Sequence, residues 1–431
     1  MSTSSASGKL KGIDIDAMAR ACPDVARDTL EAHLARLDED YLARFDADHI
    51  AAHIAQLAKL SKEHPAEVIV EDEGERGVRC TVLAFDHPFE FSLITGLLSA
   101  TGLRIESGDV FTLGKVRAAR AGRRPAARFD PRRRRKPAVE RNGLKQPVII
   151  DTFTGQLDPG ITFQSWANRF TYSLHEVISL LEQGDEQAIE RAKHRVNELV
   201  TDRLAKMQST GLSLMTPIQF EIAQVNDHTR LKIDGQDTPA FLYSLSTALS
   251  LHKLSIQRVN IRSQGDQVSD EIDVVDAKGN PIVDVKLLEQ VELSVLMTKQ
   301  FTYFLDRSPD PFTALTRFER LCEDITHRPQ RGQWIELLSN PRAMEDLAKI
   351  LGTSDYLWED FIRAQYESLL PIFTSHTEGR TFIHEPETLP QRMEAALQGA
   401  TSFEDRKRRL NKFKDEEIFL IDLDHILNPG V

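Results

Sequence analysis

Two short stretches bring together a carboxylate, a proline corner and an apolar helical run: "FDHPFEFSLITGLL" from Phe85 and "QDTPAFLYSLSTAL" from Gln236. In each, an Asp (Asp86 or Asp237) stands two residues before a Pro, just outside a predicted helix N-terminus. Such an end offers unpaired N–H groups to an anion, while the Asp can face a cation. Such a corner could hold the two charged ends of a small molecule, or it could simply start a helix. Other reactive types are dispersed. His49 and His53 have i, i+4 spacing but lack Glu or Cys partners at ligand spacing, so a solvated helix face is expected for them. The D-x-D pairs Asp14/Asp16 and Asp422/Asp424 are likewise expected to be solvated acids. Cys22, Cys80 and Cys322 are odd in number and scattered, which suits core thiols better than disulfides or zinc. No phosphate-binding Gly-rich loop or nucleophile elbow occurs, and no residue is assigned to catalysis or to a metal.

The two corners belong to a longer repeat. At an offset of 151 residues, Asp86 and Pro88 fall on Asp237 and Pro239, Leu98 on Leu249, Leu103 on Leu254, Ile105 on Ile256 and Val110 on Ile261. Both copies change the parity of their apolar alternation partway along the second strand, as a shared β-bulge requires. Beyond Gly114 the register returns at an offset of 119, with Asp151 on Asp270, and the difference of 32 residues is the segment Lys115 to Gln146. That segment carries thirteen Lys and Arg, including Arg132, Arg133, Arg134 and Arg135, against Asp130 and Glu140. The remainder holds 41 basic and 64 acidic side chains. Its composition and place define a basic loop inserted at a hairpin.

Each copy therefore reads strand, D-x-P turn, helix, strand, hairpin, strand, helix, with a last strand to close the sheet. Pro88 and Pro239 suit the first helical position, and Thr238 an N-cap. A long helix from about 161 to 207 follows the first copy, and "TPIQFEIAQ", 216 to 224, is expected to close the first sheet. From about 287 onward the periodicity is helical throughout, as in "LLEQVELSVLMTKQFTYFLDR" and "SPDPFTALTRFERLCEDI". The N-terminal stretch from about 24 to 60 reads as an amphipathic pair. The expected division is 1–66 N-terminal helices, 67–226 first module with its basic loop and long helix, 227–286 second module, and 287–431 helical region. The fold class is α+β.

The stretch from 229 to 282 resembles an ACT domain, a βαββαβ ferredoxin-like module that binds amino acids, and "CTVLAFDHPFEFSLITGLLSATGLRIESGDVFT" from Cys80 resembles a second one. Tandem modules of this kind are found in PII uridylyltransferases. The region from about 305 to 427, with "GTSDYLWEDFIR" and "RRLNKFKDEEIFLIDLDHIL", is similar to the helical part of glutamine synthetase adenylyltransferases. The resemblance implies an amino-acid ligand, glutamine above all, at the strand-to-helix turns, placing Asp86, His87 and Phe89 in one site and Asp237, Thr238, Ala240 and Phe241 in the other. The family's turn is often D-x-P-G. Ala240 in place of that Gly still permits close backbone approach, whereas Phe89 crowds it.

The resemblance also implies a nucleotidyltransferase domain as partner, in the same chain or another, with glutamine synthetase or a PII protein as its target and dimerisation through the modules. The Gly-Ser turn and D-x-D pair that hold a triphosphate and its magnesium in such a domain are not found here, so Mg and ATP or UTP are expected only if a catalytic domain follows Val431. Two other readings stand beside it: an ACT-based dimerisation scaffold, and a nucleic-acid-associated protein using Arg132 to Arg135. Against the second, the basic loop lacks interleaved aromatics and the rest of the chain repels polyanions. The opening "MSTSSASGKLKG" has no apolar leader segment and no run long enough to span a bilayer follows, so a cytoplasmic location is expected.

Overall fold

The computed structural model describes residues 9–10, 13–35, 37, 39–113, 147–206, 219–236, 241–264, 267–326, 340–353, 358 and 385–428. Among the described residues it is a mixed α+β protein with two larger antiparallel sheets and a two-stranded antiparallel ribbon, Lys9–Leu10 with Ile13–Asp14. The first is built from β3 (Ala66–Asp72), β4 (Val78–Phe85), β5 (Leu103–Leu113) and β6 (Val148–Leu157), in the order β3-β4-β6-β5, with α5 (Glu90–Thr101) between β4 and β5. The second uses β7 (Gln219–Val225), β8 (His228–Gln236) and β11 (Gln267–Val275). Both β9 (Ser255–Asn260) and the two-residue β10 (Ser263–Gln264) lie on the far side of β11, and α8 (Phe241–Leu251) joins β8 to β9.

The repeat is present in the pairing itself. Val82 faces Asp151 in the first sheet as Ile233 faces Asp270 in the second. Each second strand carries one bulge, at Glu106 between Ile105 and Ser107 and at Gln257 between Ile256 and Arg258, again 151 residues apart. The chain leaves β5 at Leu113 and rejoins at Val148, which are direct partners, so the basic segment is inserted at a hairpin. Its own residues, including Arg132 to Arg135, lie outside those described.

The two modules meet side by side. Helix α5 packs on α8, and β5 lies beside β9. Thr95 Oγ1 is 3.4 Å from Ser246 Oγ, and these two residues are repeat equivalents. A residue touching its own equivalent marks a pseudo-twofold axis. Gly96 makes this crossing possible, because a Cβ there would meet Val196 at 2.5 Å and Tyr243 at 2.8 Å.

Three expectations about these elements fail. Strand β7 does not close the first sheet; it forms a hairpin with β8 in the second, through a turn at Asn226 and Asp227. In both sheets the fourth strand thus precedes the repeat instead of ending it. The long helix is two, α6 (Phe163–Gln183) and α7 (Glu186–Lys206), because Gly184 takes a left-handed conformation (φ 73) that ends the first. Pro88 precedes its helix: Phe89 is left-handed at φ 66, and the first helical residue is Glu90.

The N-terminal segment, β1 (Lys9–Leu10), β2 (Ile13–Asp14), α1 (Ile15–Ala21), α2 (Arg27–Leu34), α3 (Glu39–Arg44) and α4 (Ala47–Leu57), covers the face of the first sheet opposite α5. It buries Leu83, Phe85, Phe111, Leu113, Val148 and Ile150. Here another expectation is overturned. His53 is buried, with Nδ1 2.7 Å from Tyr41 Oη, because the Tyr41, Phe45 and Phe111 rings close around that face of α4. His49 remains partly exposed beside Asp46, 2.7 Å away. Asp14 is the N-cap of α1, and Asp16 pairs with Arg27 at 2.7 Å. All three cysteines are buried thiols.

Past the second sheet the described chain is helical: α9 (Val285–Phe304), α10 (Pro311–Thr326), α11 (Pro341–Leu351), α12 (Leu389–Leu397) and α13 (Phe403–Leu427). Phe301 and Phe318 stack in its interior, Arg317 donates to the Leu351 carbonyl at 2.8 Å, and the cluster is continuous with the core of the modules. Asp424, expected in solvent, is buried on the inner side of α13 and accepts from Asn428 at 3.0 Å. Most of the "GTSDYLWEDFIR" segment lies outside the described residues. Among those described, no helix is long and apolar enough to cross a membrane.

Candidate ligand-binding site

The first D-x-P turn is fixed by backbone and helix-end bonds. The Asp86 amide donates to the Pro147 carbonyl at 2.9 Å, tying the turn to the start of β6. Glu90 reaches back to accept from the His87 amide at 3.1 Å, and Ser92 Oγ donates to the Phe89 carbonyl at 2.7 Å. Left-handed backbone is costly for a bulky residue. Phe89 is held there with Lys193 of α7 stationed 3.8 Å above its ring. That side chain is thus turned into a contact with α7.

Beneath the turn lies an open cavity of roughly 980 Å³. Its floor is Val110, Ile149 and Asp151 of the first sheet, and its far wall is Lys253, Leu254 and Ile256 of the second module. Asp86, His87 and Phe89, singled out from the sequence, all line it. Charged groups that the sequence reading missed also belong to this region, among them Glu90, Asp151, Lys253 and Glu182. Asp151 was legible in principle, since it aligns with Asp270 as an acid on the inward face of a strand in both copies. Glu90 had no such mark, since it is the first residue of its helix and not the third, where a capping box places its Glu.

The electrostatics are those of confined carboxyls. Burial pushes Glu90 well above the usual carboxylate range, with Asp151 and Asp86 adding to the shift, and burial together with Asp86 does the same to Asp151. His87 Nε2 lies 3.1 Å from Glu182 Oε2 on α6. Burial nevertheless lowers the imidazole, outweighing the attraction of Glu182 and Asp86.

The second turn differs. Asp237, Thr238 and Ala240 lie outside the described residues. Phe241, the first residue of α8, is buried and occupies the repeat position of Glu90. Asp270 accepts the Arg262 amide at 3.3 Å, as Asp151 accepts that of the equivalent Phe111.

These features define a chain of two matched α+β modules, paired about a pseudo-twofold and joined to a helical region. The chain is similar to bifunctional uridylyltransferase/uridylyl-removing enzymes. It is 22% identical to that of Bradyrhizobium diazoefficiens over 59% of this chain and 23% of the relative, and 22% identical to that of Nitrobacter winogradskyi over 58% and 23%. The enzyme of Gluconobacter oxydans is 25% identical over 52% of this chain and 20% of its own length. The match thus spans less than a quarter of each relative. No family profile matches the chain, and no solved structure does.

Proposed function

We propose that this chain is the amino-acid-sensing regulatory region of a bacterial nitrogen-regulation nucleotidyltransferase, with the paired modules acting as ACT domains. The observation that carries the reading is the pairing itself. Two copies of one strand-turn-helix unit meet about a pseudo-twofold at Thr95 and Ser246, and the first turn opens onto a cavity completed by the other module. The similarity to uridylyltransferase/uridylyl-removing enzymes supports the same reading. A domain in cis or in trans carries the transferase chemistry with Mg and ATP or UTP, and a PII protein or glutamine synthetase is its target.

Glutamine is the favoured ligand, at the second turn. Backbone groups near Asp237, Thr238 and Ala240 contact its charged ends, with the ligand carboxylate at the N-terminus of α8 and its ammonium at Asp237. Binding biases the helical region, whose core is continuous with that of the modules.

Calorimetry with glutamine, glutamate and other amino acids tests this. Ligand stabilisation follows RT ln(1 + [L]/Kd), about 2.7 kcal/mol at a hundredfold excess over Kd. Ala240→Leu is expected to abolish that gain while leaving the melting temperature of the free protein unchanged. If no amino acid binds at millimolar concentration, the pair is a dimerisation scaffold and the sensing reading fails.

A further inference from the structure

The cavity beneath the first turn is chemically unlike its counterpart. Glu90 and Asp151 are 3% and 1% exposed, and both line it. Glu90 Oε1 and Asp151 Oδ1 have no hydrogen-bond partner among the described residues. Buried carboxyl oxygens without donors are costly, so two of them at one open cavity point to a donor that arrives from outside. Asp86, Glu186 and Glu190 line the same cavity and strengthen its negative field. Of the cations there, Lys193 is committed to Glu190 at 3.0 Å and to the Phe89 ring, and Lys253 stands exposed on the side of the second module. Among the described residues no three His, Cys, Asp or Glu side chains are placed to hold a metal ion. The donor set therefore suits an organic cation.

We propose that this cavity binds the terminal ammonium group of a basic small molecule, either a basic amino acid or an aliphatic diamine, with Glu90 and Asp151 accepting its hydrogen bonds. Lys253 is placed to meet a carboxylate if the ligand carries one. The site is separate from the glutamine site proposed at the second turn, where Phe241 replaces Glu90.

Because burial raises both acids, an arriving cation displaces protons from them. Binding is expected to release about one proton and to tighten as pH rises through the range where the empty cavity holds them protonated. The other titratable groups facing the pair are Asp86 and His87 in the turn, Glu182 on α6, Glu186, Glu190 and Lys193 on α7, and Lys253.

The test is titration calorimetry of the full chain with lysine, putrescine and glutamine, in two buffers of different ionisation enthalpy. Lysine or putrescine should bind at least about tenfold more tightly than glutamine, with proton release; lysine alone identifies a basic amino acid, and both identify the diamine end as sufficient. Glu90→Gln, which keeps the bond to the His87 amide, and Asp151→Asn should each weaken binding roughly ten- to a hundredfold. Ala240→Leu should leave it unchanged, which separates this site from the second turn. The proposal is overturned if neither cation binds, if glutamine matches them, or if both carboxyl variants fold with unaltered affinity. In that last case the two acids satisfy each other by sharing a proton.

Discussion

The outer faces of the two sheets occupy matching repeat positions and have opposite chemistry. In the first module Leu83, Phe85, Phe111, Leu113, Val148 and Ile150 lie under the N-terminal helices. The matching positions of the second module are Asp234, Gln236, Arg262, Gln264, Gln267 and Ser269, and among the described residues no helix layer covers that face. Its charges pair within the sheet instead: Arg230 holds Asp273 through bonds of 2.7 and 2.9 Å, and Lys232 meets Asp234 at 3.1 Å. The helix-facing sides have kept their apolar residues. A repeat thus holds its core constant while each outer face follows whatever covers it.

Exchanging residues between the faces should break this pattern most severely. Leu83→Asp introduces the second module's residue under the helices and should cost more than about 4 kcal/mol, since the charge has no partner there. Asp234→Leu should fold with almost unchanged stability. Urea denaturation of both variants tests the asymmetry, and equal losses would refute it.

Truncation gives a second, smaller contrast. Phe111, with ring centroids 5.3 Å from Tyr41 and 5.7 Å from Phe45, should cost about 3 to 4 kcal/mol as Phe111→Ala. Arg262→Ala, at the equivalent position, should stay within about 0.5 kcal/mol.

Acid should loosen the covered face selectively. Burial lowers His53 to about 4, with His49 and His33 adding to the shift. The unfolded chain then takes up a proton before the folded one does. The contribution of His53 is intact above its unfolded value near 6.5 and is lost as pH falls from there to about 4, roughly 3 kcal/mol in all. His53→Gln should flatten that part of the stability-against-pH curve, while substitutions on the second sheet's outer face leave its slope unchanged.

The smallest effect sharpens the contrast between the turns. Phe89→Gly removes a left-handed Phe but also its contact with Lys193, so the two consequences offset to within about 1 kcal/mol. Thermal unfolding of this variant should match wild type.

The repeat, its offset, both bulges and the site of the basic insertion were legible because each leaves a local mark: a parity change in apolar alternation or a shift in register. The partner of β7 was not. Alternation shows that a strand has two faces but does not name its neighbour, and a two-residue turn to β8 won over closure of the first sheet. His53 was misread for a related reason: what buries it is Tyr41 from another helix and the ring cluster around Phe111 from a distant strand. Of the candidate site, Asp86, His87 and Phe89 were legible from the corner motif. Glu182 was not, because only the packing of α6 brings it to His87.

The contact between Thr95 and Ser246 has a kinetic corollary. Two identical subunits meeting this way would separate on dilution, with an occupancy set by their concentration. Here the partners share one polypeptide, so their association is a unimolecular event at a fixed effective concentration. Each molecule carries its complete interface however scarce it becomes, and a mutation alters one half without being copied into the other.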